Sequence, residues 1–145
     1  MVEIKKIKAD EAFPIRKEVL RKNIPLPYKF EGDLNDATFH LGAFCNNKLI
    51  AVSTFMQVEN KNFTGKQYQL RGMATLANYQ GIGVGKLMML KAFEILAKLN
   101  SDILWCNARI VAVPFYEKLG LIKFGKEFTI DFVGKHFVMY KKLKA

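Results

Sequence analysis

What this 145-residue chain lacks narrows the field first. No stretch reaches the roughly 18 uninterrupted apolar residues that a membrane-spanning helix needs. The segment Met1-Val2-Glu3-Ile4-Lys5-Lys6-Ile7-Lys8 alternates like a strand and lacks the apolar centre of a signal peptide. A soluble, cytoplasmic protein with no membrane partner is therefore expected. Cysteine is scarce: Cys45 and Cys106 lie in apolar, strand-like runs, and two cysteines cannot form the disulfide scaffold of a chain this long. Reduced thiols follow. Histidine is equally scarce, His40 and His136, and nothing shows C-x-x-C or H-x-x-x-H spacing, so no metal site is assigned. Linkers, repeats and low-complexity tracts are also missing. Residues 1–145 therefore read as one domain, and 50% hydrophobic with 12% aromatic content is enough for one core.

Acidic residues are in short supply too, 13 Asp and Glu against 23 Lys and Arg, for a formal net charge of +10. Such an excess steers anionic ligands inward. Nucleic acid is one such ligand, but the basic residues are spread along the chain without a recognition helix or an RNA-binding aromatic motif. The tail Lys141-Lys142-Leu143-Lys144 reads as a solvated strand end.

Glycine is concentrated where it matters, in Gln80-Gly81-Ile82-Gly83-Val84-Gly85-Lys86. Small residues there let several backbone N–H groups converge on one anion at a helix N-terminus. A P-loop of the NTPase type needs glycine at position 80 and Ser or Thr at 87, which are Gln80 and Leu87. The dinucleotide fingerprint needs a third glycine at position 86, which is Lys86. Upstream, Tyr68 to Thr75 reads as a strand, joined to the loop by a tight connection over Leu76 to Tyr79. Downstream, apolar residues at 84, 87, 88, 92, 95, 96 and 99 repeat at helical spacing, and Asn100-Ser101 ends the helix.

The remaining pattern, Gln80-x-x-Gly83-x-Gly85, resembles the acetyl-coenzyme A signature of the GNAT superfamily of N-acetyltransferases. A second segment, Ala112-Val113-Pro114-Phe115-Tyr116-Glu117-Lys118-Leu119-Gly120-Leu121, resembles that family's other signature, in which a tyrosine before Glu-Lys-Leu-Gly lies near the thioester sulfur. The resemblance covers roughly residues 37 to 143, and weakly the amino-terminal third. It implies acetyl-coenzyme A as cosubstrate, with no metal, and cofactor contacts from Met73, Ala74, Thr75, Gln80, Gly81, Ile82, Gly83, Val84, Gly85, Lys86 and Phe115. Two positions depart from the family pattern. Arg109 stands where many members place a pantetheine-holding asparagine, which moves that expectation to Asn107, and Ala77 replaces a common proline.

The resemblance also implies a chemistry. A neutral amine attacks the thioester, backbone N–H groups stabilise the oxyanion, and the thiolate leaves with a proton. Tyr116 suits the general acid, because a phenol of pKa about 10 passes a proton to a thiolate near 8.5 or above at little cost. For the base, His40 has the right intrinsic pKa on a strand that could face the acceptor; His136 is the alternative, and Glu31, Asp33 or Glu59 could act through water. Cys106, among Leu104, Trp105 and Ala108, reads as a small buried hydrophobe and not a nucleophile.

The coarse order is strand 3–8, helix 10–22, a loop through Pro25-Leu26-Pro27, strands 37–45, 48–58 and 67–75, helix 83–99, strand 102–107, helix 112–119, and strands near 122–130 and 136–142. Asn46-Asn47-Lys48 makes a hairpin turn. This is an α/β (α+β) fold: a mixed, mostly antiparallel sheet of about seven strands flanked by helices. By the resemblance, the sheet splays between the fourth and fifth strands to admit pantetheine, with the backbone of Met73 and Thr75 bonding its amides. The acceptor, an amine on a small molecule or protein, is not written in the sequence. Glu31, Asp33 and Asp36 would favour a cationic, polyamine- or lysine-like one. Two other classes remain open: a coenzyme A-binding regulatory module without turnover, and a basic nucleic-acid-binding domain. The strand Phe137-Val138-Met139-Tyr140 would serve either a homodimer contact or the interior.

Overall fold

The structure is a computed structural model that describes residues 1–144. Its elements follow the order β1 (Val2–Ile7), α1 (Ala9–Leu20), β2 (Phe39–Cys45), β3 (Lys48–Met56), β4 (Gln67–Thr75), α2 (Val84–Lys98), β5 (Ile103–Arg109), α3 (Val113–Lys118), β6 (Ile122–Ile130) and β7 (Gly134–Lys142). Single 3-10 turns at Ala77–Tyr79 and Ile110–Ala112 lead into α2 and α3. One seven-stranded sheet runs β1-β2-β3-β4-β5-β7-β6. Only the β4–β5 pair is parallel. The expected sheet and its helices are therefore present.

Local chemistry sets where elements begin and end. At the start of α1 the Glu11 carboxylate accepts from the Lys8 backbone N–H at 2.9 Å, half of a capping box. The helix stops at Leu20, two residues short of the expected end, and Asn23 turns the chain with φ 59°. Thr38 bonds back to Asn35 and Gly32, so β2 begins at Phe39 and not at residue 37. The hairpin turn falls where expected, with Asn46 and Asn47 at φ 51° and 67°, the left-handed pair that matches strand twist. β7 is paired on both sides, by β5 and β6, so Phe137 to Tyr140 is interior, and the sheet edges are β1 and β6.

The main core lies between the sheet and α2. Leu41, Phe55, Met88, Met89, Leu96, Leu104 and Met139 are fully buried there, each worth about 1.5–3 kcal/mol of burial. On the other face α1 packs Ala12 and Ile15 over Val52 and Ala74. The two faces of β4 thus carry different things: Tyr68 and Leu70 belong to the α2 core, whereas Ala74 belongs to the α1 side.

Candidate active site

Two defects in β4 create the site. The parallel ladder pairs Gln67 to Leu70 with Ile103 to Cys106 and then stops, although both strands continue. From Arg71 on one lip and Asn107 on the other, the strands part and leave backbone groups without a ladder partner. On its other edge β4 carries a bulge, since Val52 faces Ala74 while Thr54 faces Arg71, so that Gly72 and Met73 together oppose Ser53. Gly72 holds φ 62°, and a Cβ there would lie 2.9 Å from the Phe30 ring and 3.0 Å from Arg16 Nε. Glycine is required on both counts.

The glycine loop sits at the open end of this fork. Gly83 is the left-handed N-cap of α2 at φ 88°. Nothing lies within 4 Å of where a Cβ would stand on Gly81 or Gly83, so the loop encloses open space. Among the described residues, the backbone N–H groups of residues 81 to 86 have no protein acceptor; the first return bond is Leu87 N–H to Gly83 O at 3.1 Å. Unpaired N–H groups at the positive end of a helix dipole form an anion cradle.

The expected site residues are brought together unevenly. Gln80 uses its side chain to bond Thr75 O at 2.9 Å, tying the loop to the end of β4. Ile82 and Lys86 are exposed at the cradle. Val84 and Ala74 turn their side chains into the core and offer only backbone. Phe115 packs against the start of α2, since a Cβ on Gly85 would come within 3.2 Å of its ring. Tyr116 is buried at the fork, and its hydroxyl donates to Met73 Sδ at 3.7 Å. Asn107 is exposed on the β5 lip. Burial raises the Tyr116 phenol well above its ordinary value, with Cys106 adding to the shift. The same burial pushes the Cys106 thiol up to about 12, which leaves it unreactive.

The histidines and carboxylates behave differently from the expectation. His40 is buried in β2, two strands and about 10 Å from β4. Its Nδ1 meets Thr54 Oγ1 at 2.7 Å and its Nε2 donates to Asp33 O at 3.0 Å. Thr54 Oγ1, which also accepts from Arg16 at 2.6 Å, thus occupies Nδ1, and neither imidazole nitrogen is left for a substrate. Both ring nitrogens of this expected base are therefore engaged by the protein itself. His136 is buried with Nδ1 2.7 Å from Gly134 O, opposite Arg109. Asp33 is likewise consumed: it receives both guanidinium nitrogens of fully buried Arg16, at 2.8 and 2.9 Å, and the Phe30 N–H at 2.7 Å. It therefore supplies no free charge for a cationic acceptor. Burial alone would raise the Asp33 carboxyl, but the Arg16 and Phe30 bonds hold it below the usual carboxylate range. Arg16, Phe30 and Arg71 were missed by sequence reading. The only available signal was an arginine, Arg16, next to the buried face of α1.

Among the described residues no group of three or more His, Cys, Asp or Glu is placed to hold a metal ion, and no helix is long and apolar enough to cross a membrane.

The sheet is thus forked beside a glycine loop with unpaired backbone N–H groups, and a tyrosine is buried at the fork. The chain belongs to the Acetyltransferase (GNAT) family, whose pattern residues 4–121 match. It is similar to YitI of Bacillus subtilis strain 168, an uncharacterised N-acetyltransferase, with 35% identity across 100% of this chain and 99% of that protein. Its fold is shared with ElaA of Escherichia coli, at TM-score 0.82 and 19% identity over 98% of this chain and 100% of that one. An aminoglycoside 6'-N-acetyltransferase solved with coenzyme A has the same fold, at TM-score 0.78 and 10% identity over 99% and 98% of the two chains.

Proposed function

We propose that this protein, acting as one domain over residues 1–145, moves the acetyl group of acetyl-coenzyme A directly to an amine within a ternary complex. The observation that carries the reading is the fork between β4 and β5, open beside the unpaired N–H groups of the glycine loop and closed by Tyr116. The cofactor pyrophosphate would rest on the backbone of residues 81 to 86, and the pantetheine would pair with the free β4 edge at Met73 and Thr75, with Asn107 on the facing lip. Family membership and a coenzyme A-bound protein of the same fold support this choice of cofactor.

With Gly72 and Met73 bulged opposite Ser53, the Met73 N–H would receive the oxyanion. Tyr116 would give its proton to the leaving sulfur. Its raised pKa does not defeat this role, because the burial that raises the Tyr116 phenol also raises the Cys106 thiol, and a thiolate leaving in the same pocket would become a stronger base for the same reason. With both His40 nitrogens engaged by Thr54 and Asp33, the attacking amine would lose its proton to water.

Titration calorimetry with acetyl-coenzyme A, followed by turnover with a panel of amines, tests the reading. Tyr116→Phe should keep cofactor affinity and lose about 10²–10⁴-fold in kcat. The wild-type rate should rise with pH as the acceptor amine deprotonates and show no fall up to about pH 10, since the Tyr116 proton is held above that range. Cofactor binding with unchanged kcat in Tyr116→Phe would remove the acid role. Binding without turnover of any amine would favour the regulatory-module alternative, and folded protein that ignores coenzyme A would leave the basic surface and nucleic acid to test.

A further inference from the structure

Arg71 is the last β4 residue before the bulge and the first without a β5 partner. It lies on the α1 face of the sheet, with Arg16 and Phe30, away from the α2 core and the glycine loop. It therefore does not address the cofactor phosphates. Its guanidinium carbon sits 4.2 Å from the Phe30 ring centroid, that of Arg16 at 4.1 Å and that of Arg21 at 5.7 Å. Three guanidiniums share one ring, and the carboxylate among them, Asp33, is spent on Arg16 through both oxygens. Arg21 is held by carbonyls, giving Nε to Pro27 O at 3.0 Å and a terminal nitrogen to Leu20 O at 3.1 Å. Among the described residues, no carboxylate comes within ion-pair distance of Arg71 and no protein acceptor takes its N–H groups. Burial, then the charges of Arg16 and Arg21, lower its pKa, against an opposing pull from Asp33.

A half-buried guanidinium stacked on an aromatic ring, with its donor edge free, is arranged for a bidentate planar anion. We propose that Arg71 receives a carboxylate of the acceptor, so that the acceptor is amino-acid-like, bearing an amine and a carboxylate together. This rests on the acetyl-transfer reading above. Arg71 and Met73 lie two residues apart on β4, at most about 7 Å along the strand, so a carboxylate on Arg71 would anchor the acceptor at the same stretch of β4 where that reading puts the thioester carbonyl. The amine nitrogen forms the new C–N bond as the C–S bond breaks; the nitrogen gives one proton to water, the thiolate takes one from Tyr116, and the Tyr116 phenolate regains a proton through that water. The carboxylate is unchanged throughout. The same cluster of positive charge repels a polyamine.

The test uses three conjugates of coenzyme A, its sulfur joined through a methylene-carbonyl bridge to glycine, to glycinamide or to aminomethylphosphonate, with coenzyme A itself as reference. By calorimetry the wild type should bind the glycine conjugate at least about tenfold more tightly than the glycinamide conjugate, the worth of one charge-assisted bidentate contact. Arg71→Gln should abolish that preference while binding coenzyme A as the wild type does, which also shows that the variant is folded; Arg71→Lys should keep part of it. Equal binding of the glycine and glycinamide conjugates, a preference that survives Arg71→Gln, or tighter binding of the phosphonate would overturn the proposal. Loss of all binding, coenzyme A included, would instead overturn the acetyl-transfer reading on which it rests.

Discussion

Arg16 is the residue on which the α1 face of the sheet and the loop that follows it hang. From α1 it reaches Asp33 and Tyr28 O in the loop and Thr54 in β3, and Thr54 and Asp33 in turn hold His40 in β2. A closed polar ring thus fixes the loop over residues 21–38 against the sheet and keeps Phe30 beneath Arg71. Removing one partner of such a pair leaves a charge in a dry site. Asp33→Asn should cost about 3–5 kcal/mol in chemical denaturation at neutral pH. The pH dependence has a definite sign. The folded-state pKa of Asp33 is depressed, so its stabilisation is fully present above the ordinary carboxylate pKa and is lost as pH falls through the depressed value. Wild type should therefore lose stability on acidification in that window more steeply than Asp33→Asn. Parallel curves would show that the pair contributes nothing net. None of this was legible in the sequence, because a buried arginine and an exposed one are spelled alike, and a strand histidine suits a base until its partners are known.

Elements were far more legible than residues. The helical spacing from Val84 to Leu99 located α2 to within a residue at each end, because a 3.6-residue stripe and a glycine start leave little freedom. The fork and the bulge were a different matter. The fork was expected only through the resemblance, and the bulge is encoded by Gly72 alone, whose φ of 62° no periodicity reveals. The loop and α2 make a separable prediction. Gly83→Ala places a methyl where nothing lies within 4 Å, so the cost to the fold is only the left-handed backbone, about 1–2 kcal/mol by thermal or chemical unfolding. The same methyl stands in the cradle, and coenzyme A affinity should drop at least about tenfold by calorimetry. Unchanged affinity would move the pyrophosphate elsewhere.

Over the whole molecule the charges are unbalanced in a way that the elements do not explain. A net +10 weakens a compact fold by self-repulsion, and surface ion pairs such as Lys5–Glu3 and Lys91–Glu94 are too exposed to offset it. The excess is consistent with a polyanionic ligand drawn to the glycine loop from a distance. At about 0.1 M salt the field of surface charges reaches roughly 10 Å, and at 1 M about 3 Å. The backbone cradle works at contact and is barely screened, whereas the lysines work through solvent and are. Raising ionic strength from about 0.05 to 0.5 M should therefore weaken coenzyme A binding several-fold, mainly by slowing association, and leave a residual affinity owed to the cradle. Coenzyme A lacking its ribose phosphate should bind more weakly at low salt and respond less to added salt. Identical salt responses of the two ligands would mean that the positive surface does not recognise that phosphate, and that the loop's N–H groups account for the anion affinity by themselves.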